Sequence, residues 1–441
     1  MHRSVTVTDK PLPALNMKLL HTSDWHLGRS LYGRKRDEEF AQFLQWMVQT
    51  VREREIDVLV VAGDVFDTAT PGNRAQALYY QFLHQMVASP CRHIVIVAGN
   101  HDSPSFLNAP GDLLRAFDVH VIGQASTDVA QQVVVLRDEY GEPGMLVCAV
   151  PYLRDRDVRV VSAGESMQDK DANLVAGIRD HYEAIAQAAQ DLRTSLGRAI
   201  PIIATGHLYT AGGQVLDGDG VRDLYIGSLG QVHARIFSDV FDYVALGHLH
   251  VPQIVDGQTR IRYSGSPLPM GFGEARQQKV VCQVTFDHDL TSDRFVPEVE
   301  TIGVPVFQRL RQVRGDLQAI TGQLEVLRED GQSCWIEVLY DGQEIVTDLR
   351  QRVEQAVADS PVEVLRVKVN GRSNPAMTSA RQQESLEDLT PMDVFERCLE
   401  AYQVPDEQRS EMRHTYQEAL ALLEPVDEQA SRIQTTKSER H

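Results

Sequence analysis

The chain is poor in cysteine, in positive charge and in long apolar runs, and each shortage removes a class of function. Five cysteines, Cys91, Cys148, Cys282, Cys334 and Cys398, are scattered over 441 residues with no CxxC pair. That argues against a disulfide frame or a zinc ribbon and for buried thiols in a reducing compartment. No apolar run approaches the roughly 18 to 20 residues that a membrane span needs, and the opening MHRSVTVTDKPLPALN lacks the apolar centre of a signal peptide. A cytoplasmic protein without membrane contact is expected. Lys and Arg number 43 against 62 Asp and Glu, a formal net charge of -19, so bulk charge cannot coat a phosphate backbone and any nucleic-acid contact must come from local patches. No GxxxxGK[ST] occurs, which leaves no P-loop site for ATP in this chain. Internal repeats and low-complexity runs are also missing.

What is present is an ordinary soluble composition, 42% hydrophobic and 24% charged, on a chain long enough for two or three domains. From Met17 to about Asp287, short and nearly continuous apolar runs (MKLLHTSD, DVLVVAGD, HIVIVAGN, MLVCAVPY, PIIATGHL, DYVALGHL, IRYSGSP) alternate with helical segments. Such runs mark strands covered on both faces and an α/β class. Residues 1–16 are expected to be a disordered extension, 17–287 the main domain and 288–375 a small α+β capping domain. In that small domain Ile336, Val338 and Tyr340 alternate with Trp335, Glu337 and Leu339, as on a half-covered strand. A linker at 376–388, a helical pair at 389–425 and a disordered tail at 426–441 complete the expected order.

Five polar signatures end these apolar runs: Asp24 and His26 in SDWHLG, Gly63-Asp64, GNHD from Gly99 to Asp102, Gly206-His207, and GHLH from Gly247 to His250. In a strand, successive side chains alternate faces, so Asp24 and His26 are expected to share one face while Trp25 takes the other. His248 and His250 repeat the spacing around Leu249. A small residue beside each polar group lets a ligand approach at the sheet edge, where α/β sites form. His21, His84, His93, His120, His181, His233, His288 and His414, outside this pattern, read as structural histidines. Carboxylate, imidazole and amide donors without thiolate suit manganese, iron or zinc, and this many suit two ions. Asp64, with two oxygens, is the natural bridge.

The motifs SDWHLG, AGDVFD, AGNHDSP, TGHL and LGHLHVPQ resemble the calcineurin-like metallophosphoesterases, whose pattern runs D-x-H, GD, GNH[DE], H, GHxH. MKLLHTSDWHLGR, PYLRDRDV and YSGSPLPMGFGE resemble, within that superfamily, the SbcD family of bacterial nuclease subunits. The resemblance implies a four-layer αββα sandwich with a small α+β capping domain and C-terminal helices. It implies two Mn2+ per subunit, one held by Asp24, His26, Asp64 and His250, the other by Asp64, Asn100, His207 and His248. His101 would face the phosphate, stabilising charge or protonating the leaving oxygen, and Asp102 would orient it by accepting its ring proton; a turn residue bonded to nearby backbone is the equal alternative for Asp102. Asp67 stands where archaeal and eukaryotic relatives have a histidine and receives no role. The implied activity is metal-dependent double-strand exonuclease and single-strand or hairpin endonuclease cleavage of DNA, through a two-metal-activated water, in repair and recombination. The implied partners are an SbcC-like, SMC-family ATPase and a second copy of the chain, in a heterotetramer.

Arg29, Arg34, Lys35 and Arg36 follow the first signature and are expected to guide the DNA backbone; a solvated basic loop is the plain alternative. Near the C-terminus, Phe395, Leu399 and Tyr402 form one apolar stripe and Met412, Tyr416, Leu420 and Leu423 another, offered to the ATPase; docking on the protein's own core is the alternative. Two other functions remain open on sequence: a phosphoesterase for a nucleotide or other small ester, and a non-catalytic scaffold.

Overall fold

The computed structural model describes residues 17–158, 166–210, 232–342 and 348–369, together with the single positions 344, 346, 395, 399, 409 and 416. In chain order the main body runs β1 Leu19–Thr22, a two-stranded ribbon β2 Ser30–Leu31 and β3 Arg34–Lys35, α1 Asp37–Arg54, β4 Val58–Ala62, α2 Asn73–Val87 and β5 His93–Val97. It continues through α3 Pro104–Asn108, α4 Gly111–Arg115, β6 Val119–Ile122, β7 Val133–Arg137, β8 Pro143–Cys148, α5 Asp155–Val158 and α6 Met167–Leu196. Then come β9 Ile202–His207, β10 Tyr243–Gly247, β11 Gln253–Val255, β12 Gln258–Tyr263, β13 Val280–Asp289 and β14 Arg294–Gly303.

These strands make two six-stranded sheets, ordered β14-β13-β1-β4-β5-β6 and β11-β12-β10-β9-β8-β7. The inner strands of each are parallel, and apolar side chains explain how the sheets stack. Leu19, Val58, Val60, Val95 and Val97 of the first sheet meet Val147, Ile203, Tyr243 and Ala245 of the second in one buried layer. The alternate side chains of the first sheet face α1 and α2, and those of the second face α6. The result is the expected α, β, β, α order. Helix α1 shows why these segments coil: Phe40, Phe43, Leu44, Met47, Val48 and Val51 form a buried stripe at helical spacing, Asp37 to Glu39 lie in the first turn, and Arg52 and Arg54 in the last. That charge order suits the helix dipole. Among the described residues no helix is long and apolar enough to cross a membrane.

The expected domain boundary after Asp287 needs correction. It cuts β13, whose hairpin mate β14 pairs with it from Asp289↔Arg294 to Val280↔Gly303, so the first sheet continues to Gly303. The small domain starts at β15 Arg309–Gly315 and adds α7 Leu317–Asp330, β16 Cys334–Tyr340, α8 Leu349–Ala356 and β17 Val362–Val369 in a three-stranded sheet. Ile336, Val338 and Tyr340 face its core as the alternation requires. Glu337 is nevertheless buried, because Arg366 and Gln312 both donate to its carboxylate. The small domain rests on the ribbon: the Arg366 guanidinium lies 4.9 Å from the Tyr32 ring centroid and donates to its hydroxyl at 2.7 Å, and Leu310 packs on Leu31 and Phe272.

A second compact unit comprises Asp341–Ile345 and Val369–His441. There the Phe395 and Tyr416 rings stack with centroids 4.0 Å apart, and Leu399 is buried. The two rings, one from each expected stripe, stack on each other while both remain half-exposed. Tyr402, Met412, Leu420 and Leu423 lie outside the described residues, as do residues 1–16, the linker and the tail.

Candidate metal centre

All seven expected ligands gather where the C-terminal ends of β1, β4, β5, β9 and β10 meet, and the backbone there is not the extended strand that the sequence spacing suggested. β1 ends at Thr22, and Asp24, His26, Asp64 and His248 take positive φ values of 54°, 50°, 49° and 99°. Trp25 is buried, as expected, with its indole N–H donated to Thr22. The turns are nonetheless anchored like strands: Asp24 N donates to Gly63 O at 3.0 Å, His26 N to Asp64 O at 2.9 Å and Leu27 N to Val65 O at 2.9 Å. Left-handed non-glycine residues cost free energy and cluster at functional sites. Two glycines supply the clearance. A Cβ on Gly99 would fall 2.1 Å from Asp64 Oδ1, and one on Gly63, φ +92°, would fall 2.1 Å from His207 Nδ1.

Two overlapping groups of donors result. In one, His26 Nε2 stands 3.2 Å from His250 Nε2 and 3.6 Å from Asp64 Oδ2, with Asp24 in the same cluster. In the other, His207 Nε2 lies 3.2 Å from Asp64 Oδ2 and 3.1 Å from Asn100 Oδ1, which also meets His248 Nδ1 at 3.1 Å. Asp64 belongs to both. Lone pairs turned toward one another at such distances, in a site where Asp24, Asp64 and four histidines are buried, fit cations held between them. His26 Nδ1 adds a buried atom without a hydrogen bond, facing Asp67 Oδ1 at 3.4 Å.

The electrostatics favour positive charge at the centre. Burial would lower the His207 pKa, but the Asp64 charge and hydrogen bond overcome it and raise it to about 9. Burial would likewise raise the Asp64 carboxyl; His207, His26 and His101 together hold it far below the usual carboxylate range. His248 is driven the other way, to about 3, by burial and by the charge of His207. A site that gathers a proton this firmly is one where a divalent cation would displace it.

Residues around the ligands were less legible. His250 Nδ1 faces Glu274 Oε1 at 3.6 Å. Glu274 is buried, bonded to Lys279, and held at a pKa of about 2 because Lys279 and His250 outweigh the cost of burial. Lys279 in turn donates to the His250 carbonyl at 3.1 Å. Glu274 lies in the quoted motif YSGSPLPMGFGE, yet nothing in the spacing marked it as a support. Asp67, left without a role on sequence, faces His26 Nδ1 and accepts from Arg29 at 3.1 Å.

Asp102 does not orient His101. Its carboxylate accepts three backbone N–H bonds, from Val65 at 3.1 Å, Phe66 at 2.9 Å and Gly99 at 2.8 Å, and so ties the loops after β4 and β5 together. Burial and Asp64 push it up to about 6 against those donors. His101 Nδ1 instead meets the Asp67 carbonyl at 2.7 Å, and its main-chain N–H donates to Asp64 Oδ1. His101 stands with His26 and Asp64 in the cluster, half-buried.

The basic residues separate as well. Arg36 is buried, forks onto Glu39 at 2.7 and 2.9 Å and donates to the Pro269 carbonyl, so it is part of the framework and cannot guide a polymer. Arg29 is engaged with Asp67. Arg34 is exposed and pairs with Glu363 of β17 at 2.9 Å, and Lys35 is exposed.

Residues 17–252 match the family model for calcineurin-like phosphoesterases, the class that this sandwich and its strand-end donors define. Residues 306–403 match the model described as type 5 capsule protein repressor C-terminal domain. The SbcD subunit of nuclease SbcCD from Escherichia coli (strain K12) is 37% identical over 409 residues, covering 92% of this chain and 98% of that protein. Its namesake from Rhodobacter capsulatus is 31% identical over 86% of this chain and 93% of its own length. That from Bacillus subtilis is 37% identical over 60% of this chain and 65% of its own length. The chain belongs to the SbcD family of SbcCD nuclease subunits.

Proposed function

We propose that this chain is the metal-dependent nuclease subunit of an SbcCD-type complex, hydrolysing DNA phosphodiesters beside an SMC-family ATPase. The observation that carries the reading is the gathering of seven donor side chains, Asp64 among them, at five strand ends, in a chain that aligns nearly end to end with a nuclease subunit. Two manganese ions fit the donors: Asp24, His26, Asp64 and His250 for one, Asp64, Asn100, His207 and His248 for the other. Bound there, they supply Lewis acidity and lower the pKa of a coordinated water. The chain's own residues do the rest. Ala62 O fixes the His207 ring through Nδ1, Glu274 and Lys279 brace His250, and Asp67 faces the back of His26. A carbonyl can only accept, so His101 Nδ1 carries a hydrogen toward Asp67 O; with a second proton, taken from solvent, on Nε2, the imidazolium faces the phosphate and can give that Nε2 proton to the leaving oxygen, returning to the neutral Nδ1–H form. The ATPase must provide all ATP chemistry, and the C-terminal helical stretches are the segment for gripping it, in an assembly of two copies of each subunit.

The test is cleavage of hairpin and linear DNA with manganese, with and without the ATPase partner, alongside hydrolysis of bis-p-nitrophenyl phosphate. DNA cleavage that vanishes in chelator is expected. Hydrolysis of the small ester with no DNA cleavage, even with the partner present, would favour a small-molecule phosphoesterase instead. A chain ended after Ser379 should keep small-ester hydrolysis and fail to co-purify with the ATPase.

A further inference from the structure

At the far end of the first sheet from the metal centre, His93, Asp118 and His120 offer donor atoms that all lie within 4.8 Å of one another. His93 opens β5, whereas Asn100 stands seven residues later, about 23 Å along an extended chain, so the two clusters share no ligand. The His93 side chain is buried, and its Nδ1 has no hydrogen-bond partner; the Asp118 carboxylate faces it at 4.0 Å. On the other edge of the ring, Nε2 meets the Arg137 carbonyl at 2.8 Å and the Arg137 N–H at 3.1 Å. The β7 backbone thus accommodates either tautomer, and the shorter contact is the one in which Nε2–H donates to a carbonyl. That bond is the usual support of a metal-bound imidazole, because it leaves the lone pair on the opposite nitrogen.

The other two donors come from the neighbouring strand. Asp118 takes a left-handed turn, φ 56°, just before β6, and His120 follows within β6, paired with Val95 of β5. Its ring centroid lies 6.4 Å from that of His93. The Asp118 side chain is 65% exposed and can swing the short distance needed for metal bonds of about 2.0 to 2.2 Å.

We infer that His93 Nδ1, Asp118 and His120 form a third cation site, selective for zinc over manganese, closed by water in the fourth position. Two imidazoles and one carboxylate in a three-ligand set are zinc chemistry, whereas the oxygen-richer set around Asp64 is open to harder ions. A cation there would staple β5 to β6 at the end of the sheet opposite the metal centre.

The experiment loads the full-length chain with manganese, equilibrates it with zinc, dialyses it and counts both metals by mass spectrometry, for the wild type and for Asp118→Asn with His120→Ala. Both positions are at least partly exposed, and circular dichroism checks that the variant folds; His120→Gln alone is the milder second variant. The wild type should hold one zinc per chain more than either variant at unchanged manganese content, and zinc should raise the Tm of the wild type alone. Equal zinc in wild type and variants would overturn the proposal, leaving His93 and Asp118 as a plain polar contact. So would zinc loss accompanied by manganese loss, because the missing ion would then belong to the Asp64 cluster.

Discussion

Around His26 and His250 the imidazoles lean on charged groups, Asp67 with Arg29 on one side and Glu274 with Lys279 on the other. Behind His207 the support is neutral: the Ala62 carbonyl, with Gly63 close-packed against the ring. A carboxylate behind an imidazole makes it a stronger donor but brings a buried charge that must itself be paired. A carbonyl fixes the ring without adding a buried charge. The two halves of the centre are thus supported differently, and the proposed pair of ions should be held with different strength.

Asp64 is common to both halves, so Asp64→Ala should remove the distinction altogether: turnover falls to background and both ions are lost while the fold persists. Metal content and hydrolysis measured on the same sample check this, and near-normal cleavage would refute a shared carboxylate. His101→Ala comes next. It should keep metal stoichiometry and lower cleavage by roughly 10² to 10⁴-fold, the range for a lost general acid; a lost ion would make His101 a ligand instead.

Glu274→Gln addresses one half alone. It should weaken one of the two ions by roughly 10 to 100-fold, the range for a lost outer partner of a ligating histidine, leaving the other ion in place, as manganese titration would show. The same change strands the Lys279 charge and should cost about 3 to 5 kcal/mol. Glu274→Gln with Lys279→Met removes both charges, so the affinity loss should survive when most of the stability returns. Equal weakening of both ions would erase the proposed asymmetry.

The smallest effect belongs to the ribbon. Arg34→Ala with Lys35→Ala should cost no more than about 1 kcal/mol, since the Arg34–Glu363 pair is solvent-exposed, and should impair DNA cleavage more than hydrolysis of bis-p-nitrophenyl phosphate. Arg36→Ala, one residue on, should instead destabilise the whole chain by several kcal/mol through the stranded Glu39, with both substrates affected alike. Thermal melts beside the two assays separate the cases.

The clustering of the donor side chains was legible in the sequence because each combines a chemically scarce donor with a small neighbour at the end of an apolar run, and the layered fold because its strands are apolar on both faces. What stayed hidden is set by contacts distant in sequence. Glu274 braces His250 across 24 residues, and Asp102 is three residues from Gly99 yet takes two of its three N–H bonds from the loop after β4. Arg36 looks like its basic neighbours on paper, but the chain turns it inward at the start of α1, where Glu39 and a carbonyl satisfy it. The alternation argument for Asp24 and His26 reached the right cluster by the wrong local geometry: these residues lie past the strand, in left-handed turns that no spacing rule reports. The boundary at 287 failed because a hairpin that closes a sheet edge carries the same alternation as one that opens a new domain.

The backbone bonds from Asp24, His26 and Leu27 to the loop after β4 bear on how the protein behaves when stripped of metal. Amides locked to buried carbonyls exchange with solvent only when the surrounding unit opens, so these three should exchange as slowly in chelator as those of β1 itself. The turns that carry these donors are extensions of the sheet, tied to it by backbone bonds. Reactivation of a chelated sample should therefore proceed at the speed of ion capture, with no lag for refolding.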